Sequence, residues 1–414
     1  MDVVARALLD LGTPLNAGRS QGETRYLEFK SRARAFLVQA CGGEAQAEHF
    51  LEEYFLSFLP AVLRAAAEQE GLADVKCDEE RALLEEVMAE KQGMLAHSPI
   101  FYPLNRMSFG GVGHARPALD LGIGNGRSSQ FCLAGRELDV GADIIVSNLV
   151  KARARRSHHE FYALDMAALP FQPECFRTVY ALNCIYHVQD GRSAALNEFV
   201  RVLAPGGTLA LTDVSPHLNS LKPLESFFTL LGFNTISDDF TRYFLSGYGA
   251  DGSHGDPSWY RSFLENLGMV DVQVRYLMSP RLVRLAYLFY DWQALFNFDA
   301  QGRLEGPVGE RRYASAYQPM LMSLIAPLLK MDAQRCAAEN KGGYLFVTAR
   351  KPGQVSQLPE NRLACPKCKT ALTPDWGCRS CGRQYPIVEG IPLLATFFAD
   401  ATSGRSRCAA KPQQ

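Results

Sequence analysis

Apolar residues along the first 110 positions recur at helical spacing. In "EHFLEEYFLSFLPAVLRAA", Phe50, Leu51, Tyr54, Phe55, Phe58, Leu59, Val62 and Leu63 share one face. Such a face more often joins a core than lines a ligand pocket. Pro60 interrupts the pattern and is expected to kink or divide the helix, because proline lacks an N–H and clashes with the preceding turn. A second helix, "CDEERALLEEVMAEKQG", opens on acidic residues at its positive end and should stop at Gly93. This helical region leads directly into the next domain and is placed to close over a site there. From Pro117 the pattern changes to short apolar or β-branched runs separated by helical stretches. "ALDLG", "ELDVGADIIV", "HEFYALD", "RTVYALN" and "TLALTDV" supply five strands, and "MVDVQVRYL" and "GYLFVTARK" two later ones. "SAALNEFVRVL" reads as a helix and "APGG" as a turn before the fifth strand. Strands alternating with helices predict an α/β fold with a Rossmann-like, parallel, doubly wound sheet over about 111–352.

Between the last two strands lies an apolar, helix-compatible insertion at about 279–341. A polar linker at 353–362 carries Pro, and a cysteine-rich module follows at 363–400. The tail 401–414 is small and polar and is expected to be disordered.

Composition narrows the class only modestly. Of 414 residues, 47% are hydrophobic and 21% charged, the mix of an ordinary globular protein. The net charge of -1 provides no global field for nucleic acid or acidic membranes, so a nucleic-acid partner is not favoured. No apolar run reads as a signal peptide or a membrane span, and the expectation is a soluble, cytoplasmic protein. Seven of the eleven cysteines are scattered without paired spacing and are expected to be reduced and mostly buried.

"LDLGIGNGRSS" carries Asp120, Gly122, Gly124, Asn125 and Gly126 where a strand gives way to a helix. Glycines there let the backbone turn sharply and approach a ligand closely. The spacing departs from GxGxxG, and the missing GK[ST] ending excludes a P-loop. Asp143 closes the second strand, near the spacing at which a carboxylate reaches ribose hydroxyls in folds of this type. Asp165 ends the third strand, where it can accept from an adenine amino group, and Met166 can pack on the ring. Asn183 stands at the carboxyl end of the fourth strand, the edge where α/β ligands bind.

With these residues in place, the chain resembles the class I S-adenosylmethionine-dependent methyltransferases, most closely the branch containing ubiquinone and menaquinone C-methyltransferases. The matching stretches are "LDLGIGNG", "VGADI", "ALDMAALPF", "YALNCIYHV" and "EFVRVLAPGGTLALTDV", in family order from about 118 to 214. The resemblance implies that the glycine loop wraps the methionine part of the cofactor, that Asp143 holds ribose, and that Asp165 with Met166 addresses adenine. Arg177 departs from the family, which often has an aspartate there.

Methyl transfer from a sulfonium needs mainly alignment of the acceptor with the methyl carbon. A base is needed only where the acceptor keeps its proton until it attacks. Of Tyr186, His187 and Asp213 on the expected rim, His187 is the first candidate for a general base, against a competing role in packing or capping a loop. Asp213 more readily satisfies backbone after a strand. Aromatic segments around 225–249 and 287–298 suit a large apolar acceptor or additional core equally. Arg281 and Arg284 suit a membrane surface or an acidic substrate group.

Cys365, Cys368, Cys378 and Cys381 form two CxxC pairs, the ligand set of a closed structural zinc site. With "YPIVEGIPLL" following, residues 363–396 resemble the small zinc-ribbon family related to the methyltransferase activator subunit. That resemblance implies a ribbon that stabilises its methyltransferase, here within one chain. The leading expectation is a methyltransferase for a small or lipid-like metabolite. One alternative is modification of RNA or a translation-related protein, for which Lys367, Lys369, Arg379 and Arg383 offer local positive charge. A second is a non-catalytic scaffold that retains the cofactor fold.

Overall fold

Side chains alternate across a strand, so a sheet covered on both faces needs strands that are apolar at every position. "ALDL" is buried throughout, and it forms β1 (Ala118–Leu121) at the centre of a seven-stranded sheet. The computed structural model describes residue 35 and residues 38–53, 57–89, 100–218, 255–286, 321–354 and 357–402. The strands that follow are β2 (Val140–Asp143), β3 (Glu160–Ala163), β4 (Phe176–Leu182), β5 (Leu203–Val214), β6 (Val270–Leu277) and β7 (Tyr344–Arg350), in the order β3-β2-β1-β4-β5-β7-β6. All seven expected strands are present.

The expectation of a parallel sheet needs one correction. β1 to β5 pair in parallel, but β7 runs antiparallel to both β5 and β6. A strand's apolar pattern records burial and not direction, and β7 enters only after the long insertion. β6 alternates between exposed and half-buried positions, as suits the outermost strand. "APGG" is likewise not a separate turn. It lies within β5 as a bulge between the pairs Phe176↔Leu203 and Thr178↔Thr208. Gly206 there has φ 79°, and a Cβ on Gly207 would lie 2.8 Å from Ala204 O and 2.9 Å from Arg177 O.

Two apolar layers cover the sheet. Ala118, Tyr180, Ala210 and Phe346 face a core shared with the N-terminal helices. Leu119, Val179, Leu209 and Val347 face the other, where Leu196, Phe199, Tyr260 and Leu264 pack. The N-terminal helices are α1 (Glu44–Glu53), α2 (Leu59–Gln69), α3 (Asp78–Ala89) and α4 (Phe101–Gly110). Pro60 lies in the first turn of α2, where its missing N–H costs nothing. Tyr54 and Phe55, and the expected stop at Gly93, lie outside the described residues. Phe50, Phe58 and Val62 are 46%, 60% and 46% exposed, so this part of the apolar face is not core. Periodicity defines which residues share a face, whereas burial depends on the tertiary arrangement.

Within the sheet domain, α5 (Arg127–Cys132), α6 (Val146–Ala154), α7 (Arg192–Val202) and α8 (Pro257–Asn266) connect the strands. The insertion contributes a helical stretch at 280–286 and α9 (Ala326–Glu339). Its aromatic residues Tyr287, Phe289, Tyr290, Trp292, Phe296 and Phe298, and the segment 219–254, lie outside the described residues. Asp332 on α9 accepts from Met278 N (3.0 Å) and Ser279 N (2.7 Å), which fixes the exit from β6. Glu70 pairs with both Arg281 and Arg335, linking the N-terminal helices to the insertion.

Two arginines hold α4 in place. Arg136 donates to Phe109 O (2.5 Å), Val112 O (2.8 Å) and the Tyr180 hydroxyl (2.6 Å), and so binds the carboxyl end of the helix to β4. Arg275 donates to Ser108 Oγ at 2.9 Å and lies over the Phe346 ring.

The cysteine module docks against the β3 edge of the sheet. "PIVEGIP" folds into a hairpin of β8 (Ile387–Val388) and β9 (Ile391–Pro392), with Glu389 and Gly390 both at positive φ, 52° and 70°. Leu393 then bridges Ala163 in parallel, and Leu394 N donates to Ala163 O at 2.6 Å. Ala364 N donates to Pro170 O (2.9 Å) and Gln172 N to Arg362 O (2.7 Å). Ile391, Leu393 and Phe398 share a core with Leu149, Phe161 and Ala163. Lys369 reaches Glu198 Oε2 (2.6 Å) and Leu169 O (3.0 Å). α10 (Thr396–Thr402) closes the described chain. No helix among the described residues is long and apolar enough to cross a membrane.

Candidate functional site

The turn after β1 cannot be built from ordinary residues. Gly122, Gly124 and Gly126 have φ of 66°, 55° and 81°, a region that L side chains avoid. Asp143 at the end of β2 pins this turn: Oδ2 accepts from Gly124 N at 2.8 Å and Oδ1 from Ile145 N at 2.8 Å.

The turn forms one wall of a cleft of about 330 Å3 through Gly122, Ile123, Gly124 and Asn125. Ser128, Ser129 and Cys132 of α5 and Asn148 of α6 continue it. Leu182, Asn183 and Thr212 bring in the carboxyl ends of β4 and β5. Phe101, Tyr102 and Asn105 come from α4. The cleft therefore opens at the strand ends where α/β sheets bind ligands.

Among the residues expected from sequence, Gly122, Gly124, Asn125 and Asn183 line the cleft. Asn183 has the left-handed φ of 52°, and its N–H donates to Thr212 Oγ1 at 2.8 Å. Its Oδ1 is buried and has no hydrogen-bond partner among the described residues. Gly126 caps the start of α5, where a Cβ would lie 2.5 Å from Ser157 Oγ. Asp143 acts on the cleft through Gly124. Asp165 accepts from Ala167 N at 2.9 Å, and the Met166 methyl lies 3.6 Å from where a Cβ on Gly122 would stand. Asp120 is buried behind the turn, 1% exposed, with Oδ2 3.2 Å from His158 Nε2.

His187 is exposed on the short helix Ile185–Gly191 and is not among the residues lining the cleft. Its N–H donates to Cys184 O, and its ring lies 4.0 Å from that of Tyr186. Asp213 faces inward, fully buried. It accepts from Val214 N (2.8 Å) and the Tyr260 hydroxyl (2.6 Å), with Arg192 Nε 3.4 Å away. Burial pushes its pKa up, opposed by Arg192, Tyr260 and Val214. Asp213 thus has the backbone-satisfying role, extended into a buried polar triad. Removing the hydroxyl with Tyr260→Phe should lower stability by about 1–3 kcal/mol, because it leaves a buried acceptor underserved. An unchanged denaturation midpoint would refute that role.

The expectation that the N-terminal helical region closes over a site is met by α4, although Phe101, Tyr102 and Asn105 were not singled out. Sequence reasoning missed the polar lining of α5, Asn148, Thr212 and the Ser157–His158 pair beneath the turn. Only α4 left a trace in the sequence, as a helical region leading straight into the glycine-rich strand end.

At the opposite end of the chain, the sulfurs of Cys365, Cys368, Cys378 and Cys381 all lie within 4.8 Å of one another. Cys365 Sγ and Cys381 Sγ are 3.8 Å apart, and the Tyr385 hydroxyl is 3.2 Å from Cys365 Sγ. The scattered Cys77, Cys132, Cys175, Cys184 and Cys336 are buried and form no disulfide among the described residues.

Residues 119–211 match a family model described as a methyltransferase domain. That segment runs from β1 into β5 and contains the whole glycine turn. The chain is similar to a demethylmenaquinone methyltransferase of Streptomyces griseus, 37% identical over 105 residues, which covers 24% of this chain and 45% of that protein. It is 32% identical over 96 residues to the malonyl-[acyl-carrier protein] O-methyltransferase of Salmonella typhimurium, covering 23% and 38%. With the 2-phytyl-1,4-naphtoquinone methyltransferase of Thermosynechococcus vestitus it shares 31% over 121 residues, covering 27% and 52%. The chain thus spans about half or less of the lengths of these relatives. Among solved structures, a phosphoethanolamine N-methyltransferase 2 of Haemonchus contortus aligns at 18% identity and a TM-score of 0.39, covering 66% of this chain and 60% of that one. A complex of the Haloferax volcanii Trm112 methyltransferase activator and a methyltransferase aligns at 15% and 0.36, covering 67% and 99%.

Proposed function

We propose that this protein is an S-adenosylmethionine-dependent methyltransferase for a small or lipid-like acceptor, with a structural zinc ribbon fused to it. The observation that carries the reading is the glycine turn locked by Asp143 on the wall of a cleft at the strand ends. The methyltransferase-domain match over 119–211 and the quinone and acyl-carrier relatives support it.

Gly122 and Gly124 bring left-handed backbone to the cleft wall. In the proposed complex this turn holds the methionine part of the cofactor, with Asn125 and Asn183 beside it. Asp143 accepts from ribose hydroxyls while it holds the turn through Gly124. Asp165 and Met166 address adenine. When bound, the cofactor supplies a methyl group on a positively charged sulfur, ready for in-line displacement. The contribution of the chain is alignment and exclusion of water from the cleft. His187 remains a proposal as base, and from its exposed position it would need an acceptor reaching the rim.

For the metal, tetrahedral thiolate coordination with bonds of about 2.3 Å spaces sulfurs by about 3.8 Å, which fits the separation of Cys365 and Cys381. The four cysteines would hold zinc with no open position, and so in a structural role. The contacts of the module with β3 and the 169–172 loop favour a stabilising role within the chain.

Titration calorimetry with S-adenosylmethionine tests the reading. Wild type should bind, and Asp143→Ala should weaken binding at least about tenfold, since it removes both the ribose acceptor and the lock on Gly124. Equal affinity of the two proteins would refute the assignment.

A further inference from the structure

Asn105 is 2% exposed, yet it lines the cleft. Its Nδ2 donates to Phe101 O at 2.8 Å, one turn back on α4, and this bond fixes which end of the amide is which. The Oδ1 atom is buried and has no partner among the described residues. A buried amide oxygen without a donor forfeits the hydrogen bond it had in water, so such atoms are rare unless a ligand or water completes them. Tyr102, Phe101 and Leu182 line the same cleft and add an apolar, partly aromatic patch to a wall that is otherwise mostly polar. α4 is also held firmly, by Arg136 at its carboxyl end and by Arg275 at Ser108, which fixes the position of Asn105.

We infer that Asn105 is a specificity-determining residue: its Oδ1 accepts a hydrogen bond from a neutral O–H or N–H on a flat, apolar methyl acceptor. This rests on the cleft being the methyltransferase site proposed above and adds what its α4 wall selects. An amide oxygen is too weak a base to take the proton, so Asn105 orients the donor group and leaves the proton on it. A site built to accept from a hydroxyl discriminates strongly against the analogue that lacks it.

The test compares binding of 2-naphthol and 2-methoxynaphthalene to the full chain, with and without S-adenosylhomocysteine, by calorimetry or intrinsic fluorescence. Wild type should prefer 2-naphthol by about tenfold or more. Asn105→Leu, close in volume, should reduce that preference to within about twofold and leave S-adenosylhomocysteine affinity within about twofold of wild type. The variant-free comparison decides even if Asn105→Leu fails to fold. Equal binding of the two probes to wild type, or no binding of 2-naphthol at millimolar concentration, overturns the inference. So does a preference that survives Asn105→Leu, or a parallel loss of S-adenosylhomocysteine affinity, which would assign Asn105 to the cofactor. Failure of wild type to bind S-adenosylhomocysteine tells instead against the methyltransferase reading, because the naphthol preference is measured independently of it.

Discussion

Gly122→Ala is expected to abolish detectable S-adenosylmethionine binding, whereas Gly124→Ala, two residues on in the same turn, leaves the protein folded with a far milder defect. At both positions φ is left-handed, 66° and 55°, so each alanine carries a backbone cost of about 1–2 kcal/mol. Only Gly122 adds a collision. Its Cβ would lie 2.3 Å from Cys184 Cβ and 2.6 Å from Cys184 Sγ. Cys184 is buried and its Sγ is 3.2 Å from Leu121 O, so it has no room to retreat. Relief requires separating the turn from the end of β4, and those two segments form adjoining walls of the cleft. At Gly124 a Cβ meets nothing within 4 Å. Paired calorimetry and thermal melts read the difference. Cofactor affinity retained in Gly122→Ala would mean that the ligand does not depend on this turn. A loss of affinity in Gly124→Ala well beyond its stability cost would locate the ligand in the open space above it.

Removing residues after 352 should leave a protein that aggregates or melts far below the full chain. Phe161 and Leu149 are buried in a core whose other members include Ile391, Leu393 and Phe398. Uncovering two such side chains costs about 3–6 kcal/mol, a large part of the about 5–15 kcal/mol that holds a typical domain together. Truncation also removes the donors to Ala163 O and Pro170 O and the acceptor for Gln172 N. Leu393→Asp tests the same contact with all four cysteines intact. It places a charge at a fully buried position and should destabilise by more than about 3 kcal/mol. A truncated protein as soluble and stable as full length would show that the module faces a partner instead.

The order of elements from β1 to β5 was legible because both sheet faces are buried and the runs are correspondingly apolar. The direction of β7 was not, since pairing direction depends on where a long insertion returns the chain. "APGG" was read as a turn because its glycines signal unusual backbone. The same dihedrals serve a bulge when a neighbouring strand is present to pair with, as β4 is here. In the cleft, Gly122, Gly124, Asn125 and Asn183 were found because glycine spacing and strand ends are local features. Asn105 was not, since its importance arises from an unpartnered atom that exists only once α4 lies against the sheet. Asp213 was weighed correctly as a backbone partner, but Tyr260 and Arg192 are distant in sequence and left no pattern. The apolar face holding Phe50, Phe58 and Val62 was well marked in the sequence, and its exposure was not.

The bridge between Ala163 and Leu393 joins positions about 230 residues apart. At ribosomal rates of about 5–20 residues per second, β3 leaves the ribosome roughly 10–50 seconds before the segment that covers it. During that interval its outer hydrogen-bonding edge, with Phe161 beside it, is open to other nascent chains. The later-made module therefore acts as a late lock on assembly, and newly synthesised protein should depend on chaperones or low temperature more than the finished fold does.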